Sequence, residues 1–504
     1  MGLFEDVFTA HFNNQVYDKT YQDIDCINYK GYSESYKTWE NIKNLVDWRV
    51  GHVVELGTFH GYFSFKIEQI SPTTRITGLE GHPIYGKQIL ETTNLIKKMS
   101  SSRVNFDYWN SDSDKLVPDA DIILCLNCLH HFSNPDYVLS RLNCNYIIFE
   151  INKEQIELVK KYFIILKETY SHRGGRVILL CKKEFETLCL DFTNICNYRC
   201  MFCEAYKGER ILLNLKDFKG LDSIIQKAKY IDISGYGEVT NHPDFEEVVK
   251  YLTKYNKRFS LVTNGSSLDK YIELLVKSSM YLLNVSLNSL NQDTYKILTG
   301  GRGDLKKVLE NIEKFYIYDN AYKKPWCRES IRQFSFVINS YNFCELNSFM
   351  EFCKKYLVDG KRTRMVFRGL SPTLVYPEGF FPKDIPEARS FLAEINKKVL
   401  LTKLEFENFS FDMSRPCNDL TQKEVRILSD EKLREIVKEC TVYESNLYIG
   451  SNGNVGLCDW TKLQLGNIKD QSIDEIRSGE TYKDLIKCIK EGSLKYCMNC
   501  RRIG

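Results

Sequence analysis

Cys196-Asn-Tyr-Arg-Cys200-Met-Phe-Cys203 follows the strand-like run Thr187-Leu-Cys-Leu-Asp-Phe192 and decides how the rest of the chain is read. Three thiolates spaced CxxxCxxC can hold three irons of a [4Fe-4S] cluster and leave the fourth iron open for chemistry. The same residues suit a zinc site if Cys497 or Cys500 supplies a fourth thiolate. Stretches further along favour the cluster. Tyr230-Ile-Asp-Ile-Ser-Gly235-Tyr-Gly237-Glu238 is an apolar strand ending in a glycine-flanked carboxylate, and Leu261-Val-Thr-Asn264-Gly265 and Leu283-Asn-Val-Ser286-Leu-Asn288-Ser289 end in small polar residues. Strands that end this way and alternate with helical stretches predict a parallel α/β barrel with its site at the strand C-termini.

These motifs resemble the radical SAM family. There S-adenosylmethionine (SAM) chelates the open iron, and an electron from the cluster splits it into methionine and a 5′-deoxyadenosyl radical that abstracts a substrate hydrogen. The resemblance implies Cys196, Cys200 and Cys203 as cluster ligands and catalytic residues. It places Gly237 and Glu238 against the methionine part of SAM, and Ser286 and Asn288 near its ribose or carboxylate. Phe202, beside Met201, matches an aromatic-bearing position that shields the cluster and touches adenine. Six strand-like runs, the last being Met365 to Arg368, agree with a partial (β/α)6 barrel over residues 185–400. Arg368 ends that strand, where a guanidinium suits bidentate contact with a substrate carboxylate or phosphate, and it is a candidate catalytic residue. The preceding loop Lys361-Arg-Thr-Arg364 reads as a solvated basic face.

Ahead of the barrel, apolar spacing over Tyr36–Val46 predicts a helix that packs on a doubly wound α/β unit. Val53-Val-Glu55-Leu-Gly57-Thr-Phe-His-Gly61-Tyr-Phe-Ser64 is strand, glycine turn and helix start, and Ile76-Thr-Gly-Leu-Glu80 puts an acid where such folds hold ribose hydroxyls. With Asp121-Ile-Ile-Leu-Cys-Leu-Asn127-Cys-Leu-His130-His131-Phe132, these stretches resemble class I SAM-dependent methyltransferases over about residues 45 to 184. The resemblance implies a second SAM bound by Glu55, Gly57, Gly61 and Glu80. Phe59 stands where the usual loop has its middle glycine and narrows the space beside the methionine moiety. Residues 1–184 therefore read either as a methyltransferase domain acting on the barrel's substrate or as a substrate- or partner-binding module.

Behind the barrel, Val375-Tyr-Pro-Glu-Gly-Phe-Phe-Pro382 marks a loop crossing and residues 386–399 an amphipathic helix. Cys440, the hairpin signal Asn452-Gly453 within Tyr448–Cys458, and Cys497-Met-Asn-Cys500 follow. This set resembles the twitch or shortened SPASM domain, a small α+β domain over 401–504. It implies one auxiliary [4Fe-4S] cluster on Cys440, Cys458, Cys497 and Cys500, with zinc on the same thiolates as the alternative.

At 504 residues, 43% hydrophobic and 27% charged, the chain suits two to four globular domains. A net charge of +3 gives no broad footprint for nucleic acid. The 18 cysteines with no secretory signal predict reduced thiols and a cytoplasmic location. No run is long enough to span a bilayer. The expected partners are a small-molecule, sugar, nucleotide or peptide substrate and an electron donor such as flavodoxin or ferredoxin.

Overall fold

The computed structural model describes residues 22–28, 30–113, 115–203, 209–322, 331–356, 363–368, 409–413, 442–458 and 464–491. The chain divides into two units, Met1–Glu184 and Phe185–Gly504.

The first unit is built on β1 (His52–Leu56), β2 (Arg75–Glu80), β3 (Asn105–Tyr108), β4 (Ala120–Leu126), β5 (Cys144–Asn152), β6 (Ile164–Tyr170) and β7 (Arg176–Lys182). All five residues of β1 are buried, as expected of a central strand covered on both faces. Val54, Leu56, Ile123 and Phe149 pack on one side of the sheet; Val53, Ile122, Leu124 and Ile148 pack on the other with Trp39 and Ile42 of the helix Ser35–Ile42. Strand order is β3-β2-β1-β4-β5-β7-β6, with β1 to β5 parallel and β7 antiparallel to both its neighbours. This is a Rossmann-like doubly wound sheet, and its direction of winding reverses between β1 and β4, where such folds open a ligand crevice.

The second unit begins with β8 (Phe185–Asp191), β9 (Ala228–Ser234), β10 (Arg258–Thr263), β11 (Met280–Ser286), β12 (Ile331–Val337) and β13 (Thr363–Arg368), which match the six expected runs. All are parallel to their neighbours. Alternation divides their side chains. Leu188, Leu190, Ile231, Ile233, Phe259, Leu261, Leu283, Val285, Phe334 and Phe336 share one core with the covering helices Phe245–Lys254, Leu305–Ala321 and Leu346–Lys354. The intervening residues are polar and bond across strands, Ser260 to Asp232 at 2.8 Å and Ser335 to Asn284 at 2.7 Å. The barrel is thus apolar outward and polar inward.

The sheet continues past these six strands. β14 (Phe409–Met413) pairs parallel with β13, and at the other edge β15 (Asn446–Ile449) pairs parallel with β8 and is followed by antiparallel β16 (Asn454–Gly456) and β17 (Gly466–Asn467). The expected Asn452-Gly453 hairpin is present, with Gly453 at a φ of 88°. It covers the free edge of β8. Among the described residues, no helix is long and apolar enough to cross a membrane.

Away from the strand C-termini, Arg332 is 1% exposed and donates to Tyr356 O at 2.9 Å, to Asp319 at 3.2 Å and to Asn320. Losing one partner of a buried pair strands the other charge. We expect Asp319→Ala to destabilise the unit by about 3 to 5 kcal/mol, read as a lowered unfolding midpoint. Replacing both groups, Asp319→Leu with Arg332→Met, should recover most of that loss.

Candidate active site

The turn after β9 is docked on the segment that leads into the cysteines. Gly237 N donates to Thr193 O at 2.8 Å and Glu238 N to Ile195 O at 2.9 Å. A Cβ on Gly237 would lie 2.5 Å from Ile195 O and 2.6 Å from Thr193 O, so only glycine permits this approach. Gly235 is required in the same way, because a Cβ there would collide with the Asp191 carboxylate.

Glu238 is 2% exposed, and its carboxylate accepts from Thr240 Oγ1 at 2.6 Å, Thr240 N at 3.2 Å, Thr263 Oγ1 at 2.6 Å and Asn264 N at 2.6 Å. Burial raises its pKa above the ordinary value. The side chain thus clamps the β9 turn to the end of β10. Asn264 carries the link onward, donating to Asn197 Oδ1 at 2.9 Å and approaching Cys196 Sγ at 3.9 Å. Thr240, Thr263 and Asn197 are parts of the site that sequence reasoning did not single out.

Cys196, Cys200 and Cys203 lie on one partly buried loop. Burial pushes the Cys196 thiol up to about 11 and Cys200 further. Thiolates in such surroundings need a cationic partner, which bound iron supplies. Among the described residues, no three His, Cys, Asp or Glu side chains converge on one point as a single metal ion requires. A [4Fe-4S] cluster asks for something else, one separate iron per thiolate.

Around the loop, Met201 and Phe202 pack with Val337 on the buried Leu298. Ser286 is half-buried at the end of β11. Asn288 accepts from Val337 N at 2.7 Å, and its amide nitrogen has no partner among the described residues, leaving donors for a ligand. Arg368 ends β13 at the same end of the sheet, parallel to its neighbour. One inward residue went unnoticed in the sequence. Asp191, at the end of β8, is 5% exposed; its Oδ2 accepts from Tyr448 at 3.2 Å and its Oδ1 is buried without a well-formed hydrogen bond. Burial pushes its carboxyl up to about 7. A lone acid closing the apolar run Leu188-Cys-Leu-Asp191 is the signal that could have found it. Tyr448 is 257 residues away and could not have been paired with it.

In the first unit, Gly57 and Gly61 take φ values of 65° and 80°, and Phe59 between them sits at 50°, which is unusual for a bulky residue. A Cβ on Gly57 would meet Cys128 Cβ at 2.8 Å and one on Gly61 the Phe106 ring at 2.7 Å. Glu55 is buried, accepts from Ser64 Oγ at 2.5 Å, Ser64 N at 3.0 Å and Thr58 Oγ1 at 3.1 Å, and burial pushes it up to about 7. It shapes the loop from beneath. Glu80 is 5% exposed and accepts from Phe59 N at 2.9 Å, Gly81 N at 3.0 Å and His82 N at 2.8 Å. A carboxylate offers about four acceptor positions, so these three bonds leave one unused. His130 and His131 stand exposed beyond β4 with rings 4.0 Å apart, and burial of the ring faces lowers both.

Of the auxiliary-cluster residues, Cys458 follows β16 and is half-buried. Cys440, Cys497 and Cys500 lie outside the described residues, as do the loop 375–382, the helix expected at 386–399 and the side chain of Arg368.

Comparison with known proteins adds independent evidence. Residues 190–319 match the Radical SAM superfamily and residues 440–501 match SPASM, an iron-sulfur cluster-binding domain. The chain is 36% identical over 140 residues to the "Probable GTP 3',8-cyclase" of Thermococcus kodakarensis, covering 27% of this chain and 45% of that protein. It is 24% identical over 286 residues to the "GTP 3',8-cyclase" of Clostridium botulinum, covering 54% of this chain and 86% of that protein. The chain therefore spans just under half of the first relative and most of the second. Among solved structures, Streptococcus suis SuiB is similar over 82% of each chain at 15% identity and a TM-score of 0.45. The matched regions fall on the sheet and the hairpin that carry these cysteines, so the chain contains a radical SAM domain over residues 190–319 and a SPASM domain over 440–501, and its first unit is a Rossmann-like sheet.

Proposed function

We propose that this protein cleaves SAM reductively at a [4Fe-4S] cluster on Cys196, Cys200 and Cys203, and abstracts a hydrogen from a substrate held at the inner face of the barrel. The observation that carries this reading is the cysteine loop pinned against Gly237 and Glu238 at the strand C-termini. When bound, the cluster and SAM supply the radical chemistry; the chain binds and orients. Met201 and Phe202 exclude water from the cluster. Asn288 and Ser286 offer hydrogen bonds to SAM, Glu238 holds the β9 turn in register, and Arg368 meets an anionic group of the substrate.

Cys440, Cys458, Cys497 and Cys500 would hold a second [4Fe-4S] cluster, which would supply an electron acceptor or relay to a reaction that oxidises, epimerises or joins the substrate. Residues 185–400 form the barrel in this scheme and 401–504 the auxiliary domain, in a reducing, cytoplasmic setting. Sugars, nucleotides, other small molecules and peptides all remain in the substrate class; the names of the relatives make GTP the first to try. We further assign residues 1–184 to SAM-dependent methylation of the same substrate, with Glu80 taking a ribose hydroxyl at its remaining acceptor position. The engagement of Glu80 by three backbone N–H groups supports a second reading, in which this unit recognises the substrate or a partner without transferring a methyl group.

Replacing Cys196, Cys200 and Cys203 together by Ala should abolish 5′-deoxyadenosine formation from SAM under dithionite while leaving roughly half of the iron, that of the auxiliary cluster. Normal 5′-deoxyadenosine output from the triple variant would defeat the reading. Removing Cys497 and Cys500 should spare SAM cleavage and stop product formation. Incubation with methyl-labelled SAM separates the two readings of the first unit: label in a product, with SAM binding weakened about tenfold or more by Glu80→Ala, supports methylation, and no heat of SAM binding to the folded parent unit supports recognition alone.

Asp191 has its own pH signature. Its folded pKa of about 7 lies above the ordinary 3.8, so the carboxyl favours folding while neutral, and that contribution is lost as pH rises through 7. Asp191→Asn should remove the loss. Relative to the variant, the parent should weaken between about pH 3 and pH 8 by up to about 4 kcal/mol, measured as unfolding midpoints across that range.

A further inference from the structure

Beside the cysteine loop the chain folds back as the segment 298–301. Arg199 N donates to Thr299 O at 3.2 Å and Met201 N to Leu298 O at 3.0 Å, so the loop backbone lies directly on the segment 298–301. That segment ends in Gly300 and Gly301, with φ values of 66° and 80°. A Cβ on Gly300 would collide with Arg199 O, whereas one on Gly301 would face open space among the described residues. Gly300 therefore packs its backbone directly on Arg199, and the neighbouring position 301 carries no side chain.

The rim of this spot is basic. Arg199, Lys296 and Arg302 are exposed, and neither Lys296 nor Arg302 makes an ion pair among the described residues. Between them Ile297 is 48% exposed. Asp293, one turn before Lys296, is exposed as well and does not bond to it. An apolar centre with a charged rim is the make-up of small transient interfaces, and electron-transfer encounters lie at the low end of interface size. Electron transfer slows steeply with distance, so a donor must dock close to the cysteine loop, and this segment is hydrogen-bonded to that loop's backbone.

We infer that this surface, framed by Arg199, Lys296, Ile297 and Arg302, is the docking face for an acidic, low-potential electron-transfer protein that delivers the electron to the cluster on Cys196, Cys200 and Cys203. The inference rests on the radical SAM assignment and adds the place and the charge of the partner. Opposite charge steers the donor to the rim, while Ile297 supplies the apolar contact.

The test uses the full-length reconstituted enzyme and 5′-deoxyadenosine formation from SAM, driven either by dithionite or by flavodoxin reduced with NADPH and its reductase. Dithionite is small and needs no docking. The double variant Lys296→Glu, Arg302→Glu should keep its dithionite rate within about twofold and lose about tenfold or more of its flavodoxin rate. Added salt should slow the flavodoxin-driven parent and have little effect on the variant. Lys254→Glu, on a covering helix of the outer face, should change neither rate. Equal flavodoxin rates in parent and double variant would overturn the proposal. So would an equal fall under both reductants, which would make the patch structural, or failure of flavodoxin to drive a parent that dithionite activates. Failure of the parent under dithionite would instead strike the radical SAM reading beneath it.

Discussion

Two backbone hydrogen bonds, from Gly237 to Thr193 and from Glu238 to Ile195, hold the second unit's chemistry in place. They join the turn after β9 to the segment that enters the cysteine loop, and they form only because position 237 has no Cβ. The buried Glu238 carboxylate then ties the same turn to Thr263 and Asn264 at the end of β10. Three consecutive strand ends are thus connected before any ligand arrives. Such prior ordering is what a site for a reactive cofactor needs, since a loosely held cysteine loop would lose both geometry and protection from water.

The C-terminal hairpin takes part in this order. β15 adds to the free edge of β8, and Tyr448 donates to Asp191 on the strand that runs into the cysteines. The SPASM region is therefore linked to the strand that leads into the cysteine loop through one sheet. Asp191 sits at that junction with one oxygen bonded and the other buried, a costly placement that persists only where the surrounding fold enforces it.

The first unit shows how one motif can serve structure and ligand together. Gly57 and Gly61 have left-handed backbones packed against Cys128 and Phe106, and Glu80 spends most of its acceptor capacity on the N–H groups of Phe59, Gly81 and His82. The loop is therefore shaped from within. Phe59 takes the left-handed backbone usual for glycine while filling the space a glycine would leave.

Local pattern made the architecture legible from the sequence alone. The spacing of Cys196, Cys200 and Cys203, the apolar runs ending at Glu238, Asn264 and Ser286, the Gly57–Gly61 turn and the Asn452-Gly453 hairpin are each written within a few residues. Backbone geometry and hydrophobic periodicity act over that range, so six parallel strands and a doubly wound unit could be expected from them. The bonding of particular side chains was decided only by the tertiary structure. Glu238 serves Thr263 and Asn264 as well as its own turn; Glu80 closes on Phe59; Asp191 meets Tyr448 from far along the chain, and β15 extends the barrel sheet at β8. A buried polar atom takes its partner from whichever strand the fold lays beside it, and the order of strands in a sheet is a long-range property.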